Sequence, residues 1–156
     1  MGPRRKGRVL AIQALYAYEI KGSASLEELV QFPWEEEEEE REGDAEIAQK
    51  GESDALARQF ATLLLTGTIQ NLPQIDRLIQ EHLENWELKR VAKVDLSILR
   101  MSVYCLLYQK DIPATVVIDE AVDLSKEFGT EDSYRFVNGV LDGIRKSLET
   151  KELSSP

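Results

Sequence analysis

Four basic residues lie close together at the start of the chain, where their side chains could bind a polyanion. They occupy four of five consecutive positions: Arg4, Arg5, Lys6 and Arg8. The apolar pattern that follows predicts a helix from about Arg5 to Lys21, ended by Gly22. Cations at a helix N-terminus are locally unfavourable, because that end already carries partial positive charge. A phosphate-rich partner such as RNA or DNA would offset this cost.

The formal net charge of −10 does not exclude such a partner, because the acidic residues are concentrated in one segment. Between Glu27 and Asp54 there are thirteen Asp or Glu and two basic residues, so this segment carries −11 and the rest of the chain about +1. Six consecutive glutamates from Glu35 to Glu40 repel one another and bury nothing. We therefore predict a flexible or weakly helical acidic insertion at about residues 34–52.

Composition and motifs narrow the class of protein. A chain of 156 residues is long enough for one domain with a real core, here residues 1–156. No apolar run approaches the roughly 18 residues of a membrane span, and the N-terminus lacks the apolar stretch of a signal peptide. The single Cys105 favours a reducing cytoplasm, and its apolar surroundings predict a buried side chain. His82 is the only histidine and is interpreted as a solvated surface residue. We predict no catalytic residue, no metal site and no cofactor.

Capping signals and apolar periodicity predict helices in the first part of the chain. Ser25 is a candidate N-cap for a short helix, and Ser53 is a candidate N-cap for a longer helix that extends to about Leu72. Pro73 suits the first turn of the next helix. These signals alternate with turn residues rather than with strand patterns.

The second part of the chain is also predicted to be helical. The stretch Leu96 to Tyr108 is apolar on almost every face, which is typical of a central helix surrounded by others. Pro113 marks the turn into the next helix, and we expect Gly129 to end that helix in a left-handed conformation. Thr130 is the expected N-cap of the last helix. The predicted fold class is all-α.

Three segments, in this order, carry a more specific signal. They are Arg4–Arg8 followed by Ala11–Tyr16; Val94–Arg100 running into Tyr104; and Val117–Val122 with Phe128–Gly129, Asp132–Ser133 and Phe136–Asp142. Together they resemble the family of the bacterial transcription antitermination factor NusB over residues 4–22 and 55–146. The chain departs from that family in its Glu-rich insertion and at Asp119, where the family commonly has Asn.

The resemblance implies a compact bundle of about seven helices in two three-helix-like halves. It implies a non-catalytic, cytoplasmic, RNA-binding adaptor that pairs with NusE, a ribosomal protein of the small subunit, and binds the single-stranded boxA element of nascent RNA. This complex joins the RNA polymerase antitermination complex and suppresses termination, notably on ribosomal RNA operons. A homodimer is left open, because members of the family self-associate or pair with NusE through overlapping surfaces.

Candidate site residues come from the chemistry of the residues and from the resemblance. The four basic residues would contact phosphates, and Gln13 and Tyr16 could read or stack on a base. Ser133 and Phe136 resemble family positions near the RNA, and Asp95 resembles a position that faces NusE. Packing roles remain open: Tyr16 and Phe136 also suit a core, and Asp95 also suits a helix start.

Three alternatives remain beside this interpretation. An enzyme is disfavoured, because the sequence has no phosphate loop and no catalytic triad. A domain of the same type occurs at the N-terminus of ribosomal RNA cytosine methyltransferases, but the chain ends at Pro156, which favours a free-standing protein. The third is a protein–protein interaction module, or a ribosomal RNA-processing accessory protein, without sequence-specific RNA binding.

Overall fold

The computed structural model describes residues 2–22, 25–32 and 44–154. All regular secondary structure within these ranges is helical, and a 3₁₀ turn spans Leu88–Arg90. The seven α-helices are α1 (Pro3–Lys21), α2 (Leu26–Leu29), α3 (Asp44–Gln70), α4 (Leu72–Glu81), α5 (Lys93–Tyr108), α6 (Ala114–Phe128) and α7 (Ser133–Ser154). The expected all-α fold with about seven helices is therefore confirmed for the described residues.

The chain divides into two compact units, Met1–Thr66 and Gly67–Pro156, and α3 contributes residues to both. The first unit contains α1 and α2, and the second contains α4 to α7. This division agrees with the two halves that the sequence resemblance implies.

Two short-range signals in the first unit are confirmed. Gly22 ends α1 in a left-handed conformation with φ +66°, and its N–H donates to the Tyr18 carbonyl at 3.0 Å. Ser25 caps α2, and its Oγ accepts a hydrogen bond from the Glu28 N–H at 3.2 Å. Both features depend only on neighbouring residues, which explains why sequence alone predicts them.

Gly7 determines how closely α1 lies against α3 in the first unit. A Cβ atom at Gly7 would lie 2.8 Å from the Ala57 carbonyl oxygen and 2.9 Å from Phe60 Cδ1. Only glycine permits this approach without a shift of one helix. The contact places the first turns of α1 beside Phe60.

The start of α3 differs from the prediction. The helix begins at Asp44, so Ser53 lies inside it and is not its N-cap. Residues 45–50 are mostly good helix formers, and their propensity outweighs the acidic character of the segment. Residues 34–43 of the predicted insertion lie outside the described residues, so their predicted flexibility stays a prediction.

The second unit is built around α5, as its all-round apolar sequence predicts. This helix contacts α4, α6 and α7, and its residues from Asp95 to Cys105 are buried. Arg100 is 5% exposed and forms a bidentate ion pair with Asp76 of α4. Its Nε donates to Oδ1 and one terminal nitrogen donates to Oδ2, each at 2.9 Å. A buried guanidinium requires such a partner, so this pair fixes α4 against α5.

The turn between α6 and α7 differs from the prediction in two respects. Gly129 has φ −91° and ψ −167°, so it is extended and not left-handed. A Cβ atom at this position would lie 2.5 Å from Ser133 Cβ and 2.7 Å from the Ser125 carbonyl oxygen. Glycine is therefore required by close approach and not by backbone conformation. Thr130 does not cap α7, which begins at Ser133.

The two residues considered for metal or redox chemistry are accounted for by packing. Cys105 is buried, as predicted. His82 is partly buried and not a freely solvated residue: its Nδ1 lies 2.9 Å from the Leu78 carbonyl oxygen and its Nε2 lies 3.0 Å from Ser147 Oγ. The described residues contain no group of three or more His, Cys, Asp or Glu able to hold a metal ion. Nor does any helix in the described part have the length and apolarity needed to cross a membrane.

Candidate nucleic-acid interface

The first turn of α1 concentrates positive charge. Its N-cap is Gly2, which has no side chain to accept hydrogen bonds from the exposed N–H groups, and no acidic residue lies in the first turn of this helix. We call the four cations in the first two turns the basic arm: Arg4, Arg5, Lys6 and Arg8. The partial positive charge of the helix N-terminus and the charges of the basic arm therefore reinforce one another.

Two members of the basic arm pack over one aromatic ring of α3. The guanidinium carbons of Arg4 and Arg8 lie 5.6 Å and 5.4 Å from the centre of the Phe60 ring. The two arginines are four residues apart, so they share one face of α1. Arg8 is only 9% exposed, whereas Arg4 is exposed. Phe60 thus fixes two charges by cation–π contact, a role that its place in an apolar pattern did not indicate.

Lys6 has a carboxylate partner on α3. Its Nζ forms an ion pair with Oδ1 of Asp54, and both side chains are partly exposed, at 26% and 33%. An ion pair at this degree of exposure contributes little net stability. Exchange of this carboxylate for another anion would therefore cost little.

The polar and aromatic candidates of α1 lie along the same face as part of the basic arm. Gln13 and Tyr16 are both exposed, and Tyr16 is 42% exposed, so it is not a core tyrosine. Arg5 and Tyr16 are separated by about three turns, and so are close in angle around the helix. Lys6 and Gln13 are separated by about two turns. The described structure therefore places an exposed amide and an exposed aromatic ring in line with two of the cations.

In the second unit, the candidates Ser133 and Asp95 are buried together. Ser133 is 2% exposed, and its Oγ accepts a hydrogen bond from the Thr130 N–H at 2.8 Å. Asp95 is 7% exposed, and its Oδ1 has no hydrogen-bond partner among the described residues. Burial raises the pKa of the Asp95 carboxyl, and a hydrogen bond with Ser133 opposes part of this rise. The carboxylate is thus held in a site that disfavours its charge.

Phe136 lies near the start of α7 and packs on a second aromatic residue. It is partly exposed, and its ring centre lies 5.1 Å from that of Trp86, with an angle of 51° between the ring planes. Trp86 is 37% exposed. Phe136 is therefore neither a fully buried core residue nor an isolated surface ring.

A cation–aromatic cluster near the start of α7 was not predicted from the sequence. The ring of Tyr134 has Lys126 Nζ at 5.2 Å and the Arg135 guanidinium carbon at 5.5 Å from its centre. Arg135 Nε donates a hydrogen bond to the Tyr134 hydroxyl at 2.9 Å. Lys126 and Tyr134 also line an open cleft of about 360 Å³ with Gly129, Thr130 and Glu131. The adjacent Tyr134 and Arg135 were the available signal in the sequence, but only the structure places Lys126 beside them.

Comparisons of the sequence and of the structure with known proteins all match NusB proteins over nearly the whole chain. A profile of the NusB family matches residues 5–146. The transcription antitermination protein NusB of Treponema denticola is 46% identical over 142 residues, which cover 91% of this chain and 95% of that protein. The solved structure of T. maritima NusB is 37% identical, with a TM-score of 0.74 and coverage of 94% of this chain and 93% of that chain. A structure of the antitermination factors NusB and NusE in complex with dsRNA is 26% identical in the matching chain, with a TM-score of 0.73 and coverage of 93% and 97%. The chain therefore belongs to the NusB family.

Proposed function

We propose that this protein is a transcription antitermination factor that binds single-stranded boxA RNA together with NusE. The observation that carries this proposal is the start of α1, where four cations lie in the first two turns and the first turn contains no acidic residue. Two findings on similar proteins support it: the Treponema denticola relative is named as an antitermination protein, and a similar structure holds NusB with NusE and dsRNA.

In this role the chain, residues 1–156, acts in the cytoplasm as a single RNA-binding domain and a non-catalytic adaptor. The complex of this protein, NusE and boxA RNA joins RNA polymerase and suppresses termination, notably on ribosomal RNA operons. The basic arm supplies a few phosphate contacts, which fix the position of the RNA but do not read its sequence. Specificity therefore requires the base-contacting residues and the added surface of NusE.

Each candidate residue has a part in this proposal. Gln13 hydrogen-bonds a base edge, and Tyr16 and Phe136 stack on bases, because all three have exposed surface. Ser133 is buried, so it acts by holding the turn between α6 and α7 and by its hydrogen bond with Asp95. Asp95 is also buried, so it acts on the NusE-facing surface indirectly, by the packing of the α5 start against this turn.

The proposal is tested by measuring RNA binding with and without NusE. Fluorescence anisotropy is recorded with labelled boxA RNA, a scrambled RNA and a boxA duplex, over a series of salt concentrations. We expect weak binding of boxA RNA by the protein alone and much tighter binding with NusE. Equal affinity for boxA and scrambled RNA in the ternary mixture would instead favour the interaction module or accessory protein. Tighter binding of the duplex would contradict recognition of a single strand.

A charge-matched pair of variants assigns the RNA contacts to the basic arm. Replacing its four cations with Gln should weaken binding and flatten the salt dependence, by about 0.7 in logarithmic slope for each phosphate that is no longer neutralised. The control variant replaces four other lysines with Gln and so changes the net charge equally: Lys21, Lys110, Lys146 and Lys151. We expect this control to retain most of the affinity and slope. Equal losses in the two variants would show that only net charge matters.

A further inference from the structure

The loop after α4 holds Trp86 in a fixed and exposed position. Asn85 has φ +65°, a left-handed conformation that turns the chain immediately before Trp86. The side-chain amide of Gln80 then bridges this loop: its Nε2 donates to the Trp86 carbonyl at 3.1 Å, and its Oε1 accepts from the Leu88 N–H at 2.9 Å. The nitrogen and the oxygen of the Gln80 amide thus both form hydrogen bonds with the backbone around Trp86. The backbone that carries this exposed indole is thus tied to α4.

Trp86 and Phe136 form one aromatic surface. Their ring centres are 5.1 Å apart and their planes are tilted by 51°, which is a favourable geometry for an aromatic pair. Trp86 remains 37% exposed and Phe136 is partly exposed, so the pair does not bury itself. Exposed aromatic rings on a rigid support are the feature on which bases of single-stranded nucleic acid stack.

One exposed cation directly precedes Phe136 on α7. Arg135 is exposed, and its guanidinium also packs on the ring of Tyr134, which lies on a different face of the helix from Phe136. Stacking rings accompanied by basic side chains are the mixture that binds unpaired RNA bases and their phosphates. A protein partner would also fit apolar rings, but the exposed Arg135 next to Phe136 in α7 favours a polyanion.

We propose that Trp86 and Phe136 form a stacking platform for a base of the bound single-stranded RNA, with Gln80 as the positioning residue for Trp86. This inference rests on the proposed function and assigns Trp86 and Gln80 roles in it. Trp86 then contributes affinity by stacking, which is tolerant of base identity, because every base has a π-face.

The first test compares three single variants by anisotropy, with boxA RNA and saturating NusE. Trp86→Leu keeps an apolar side chain beside Phe136 but removes the indole ring. It should weaken RNA binding by at least about five-fold, which corresponds to the loss of one stacked base. Trp86→Phe keeps a stacking ring and should remain close to wild type. Tyr108→Leu removes another exposed aromatic residue, 46% exposed, and serves as the matched control, which should retain wild-type affinity. Thermal unfolding confirms that all three variants are folded.

The second test observes Trp86 directly by fluorescence. The other tryptophan of the sequence is removed by Trp34→Phe, and the signal of this variant is compared with that of Trp34→Phe/Trp86→Phe, in each case bound to NusE and boxA RNA. The difference isolates Trp86 from any tryptophan in NusE. We expect RNA to quench this difference signal. Gln80→Leu should reduce both the quenching and the affinity, because it releases the loop that carries Trp86.

The outcomes separate this inference from the proposed function. If Trp86→Leu binds boxA RNA as tightly as wild type, or if RNA leaves the Trp86 fluorescence unchanged, the platform is wrong while the proposed function stands. If the wild-type protein with NusE does not bind boxA RNA, the proposed function is wrong and the platform with it.

Discussion

At the scale of single residues, the position of Phe60 explains how a crowded set of cations is accommodated. Its ring lies under the guanidinium groups of Arg4 and Arg8, at 5.6 Å and 5.4 Å. Arginine is weakly hydrated and stacks well on aromatic faces, so the ring stabilises charges that the helix dipole disfavours. The side chains are also restrained before any phosphate arrives, which lowers the entropy cost of binding.

We predict that Phe60→Leu weakens both folding and RNA binding. Leucine retains apolar volume but no π-face, so removal of the cation–π interaction should lower the free energy of unfolding by about 1 kcal/mol. RNA affinity should fall a few-fold, because Arg4 and Arg8 lose their restraint. Urea unfolding and anisotropy provide the two measurements. Phe60→Tyr keeps the ring and is the control; a leucine variant as stable and as tight-binding as wild type would refute the role of the ring.

A second prediction at this scale concerns the charge of Asp95. Burial raises the pKa of this carboxyl in the folded protein, so the folded state binds a proton more tightly than the unfolded state. Wild-type stability is therefore reduced as the pH rises from the ordinary Asp pKa of about 3.9 through the raised value. Asp95→Asn removes this penalty. The variant should be more stable than wild type at neutral pH, and its advantage should shrink as the pH falls from the raised pKa towards about 4.

Asp142 provides a control of opposite sign. Hydrogen bonds from Arg145 and Lys146 hold the pKa of this exposed carboxyl below its ordinary value. Asp142→Asn should therefore lose a small amount of stability at neutral pH, and this loss should disappear in acid. Thermal unfolding from pH 3 to pH 8 measures both variants. An Asp95→Asn variant that is less stable than wild type at neutral pH would show that its charged form is favoured in the folded state.

At the scale of the elements, the turn between α6 and α7 depends on one glycine. Gly129 lets the chain pass close to Ser133 and to the Ser125 carbonyl oxygen, so α7 can begin four residues after Gly129. Ser133 in turn accepts a hydrogen bond from the Thr130 N–H, which closes the turn. Tyr134 and Phe136 follow directly, so the placement of both aromatic rings depends on this turn.

We predict opposite effects for two Gly→Ala substitutions. Gly129→Ala adds a methyl group where the nearest atoms lie 2.5–2.7 Å away, and should destabilise the protein by about 1–3 kcal/mol. Gly139 lies inside α7 with no atom within 4 Å of an added Cβ, so Gly139→Ala should stabilise by about 0.5–1 kcal/mol through helix propensity. Chemical denaturation measures both values. A stable Gly129→Ala variant would show that the turn yields to the added methyl group.

At the scale of the whole molecule, charge is segregated along the sequence. The segment from Glu27 to Asp54 carries −11, while the basic arm lies at the start of α1. Long-range repulsion from such a segment opposes all polyanions equally, whereas base contacts favour one RNA. We therefore expect the acidic segment to lower non-specific RNA binding more than specific binding.

We predict that removing part of this charge relaxes specificity. Replacing residues 35–43 with a Gly/Ser linker of equal length removes seven acids and one arginine, a net −6, and leaves α3 intact from Asp44. Scrambled RNA should gain more affinity than boxA RNA at low salt, and the difference should vanish at high salt where charges are screened. Thermal stability should change little, because the loop length is preserved. Unchanged binding of both RNAs at low salt would remove the electrostatic role.

The sequence by itself determined the features that depend on neighbouring residues. Local pattern predicts the α1 helix with its basic first turn, the end of α1 at Gly22, the Ser25 cap and the all-round apolar α5, and the structure confirms all four. Backbone propensity and capping act within a few residues, so a single sequence contains the information needed to predict them. The family resemblance added the two halves and the candidate residues of α5 and α7.

Only the tertiary structure decided which distant side chains meet. Lys6 pairs with Asp54 at a separation of 48 residues, Arg4 and Arg8 meet Phe60, and Trp86 meets Phe136. Gly129 is a further example that sequence alone did not explain correctly. Glycine is required there because Ser133 packs too closely for a Cβ atom, and not because the backbone has a positive φ. Such contacts depend on how helices pack, and sequence spacing within one helix does not determine that packing. The sequence therefore located the cations, while the fold showed that Phe60 packs against two of them and that Trp86 packs against Phe136.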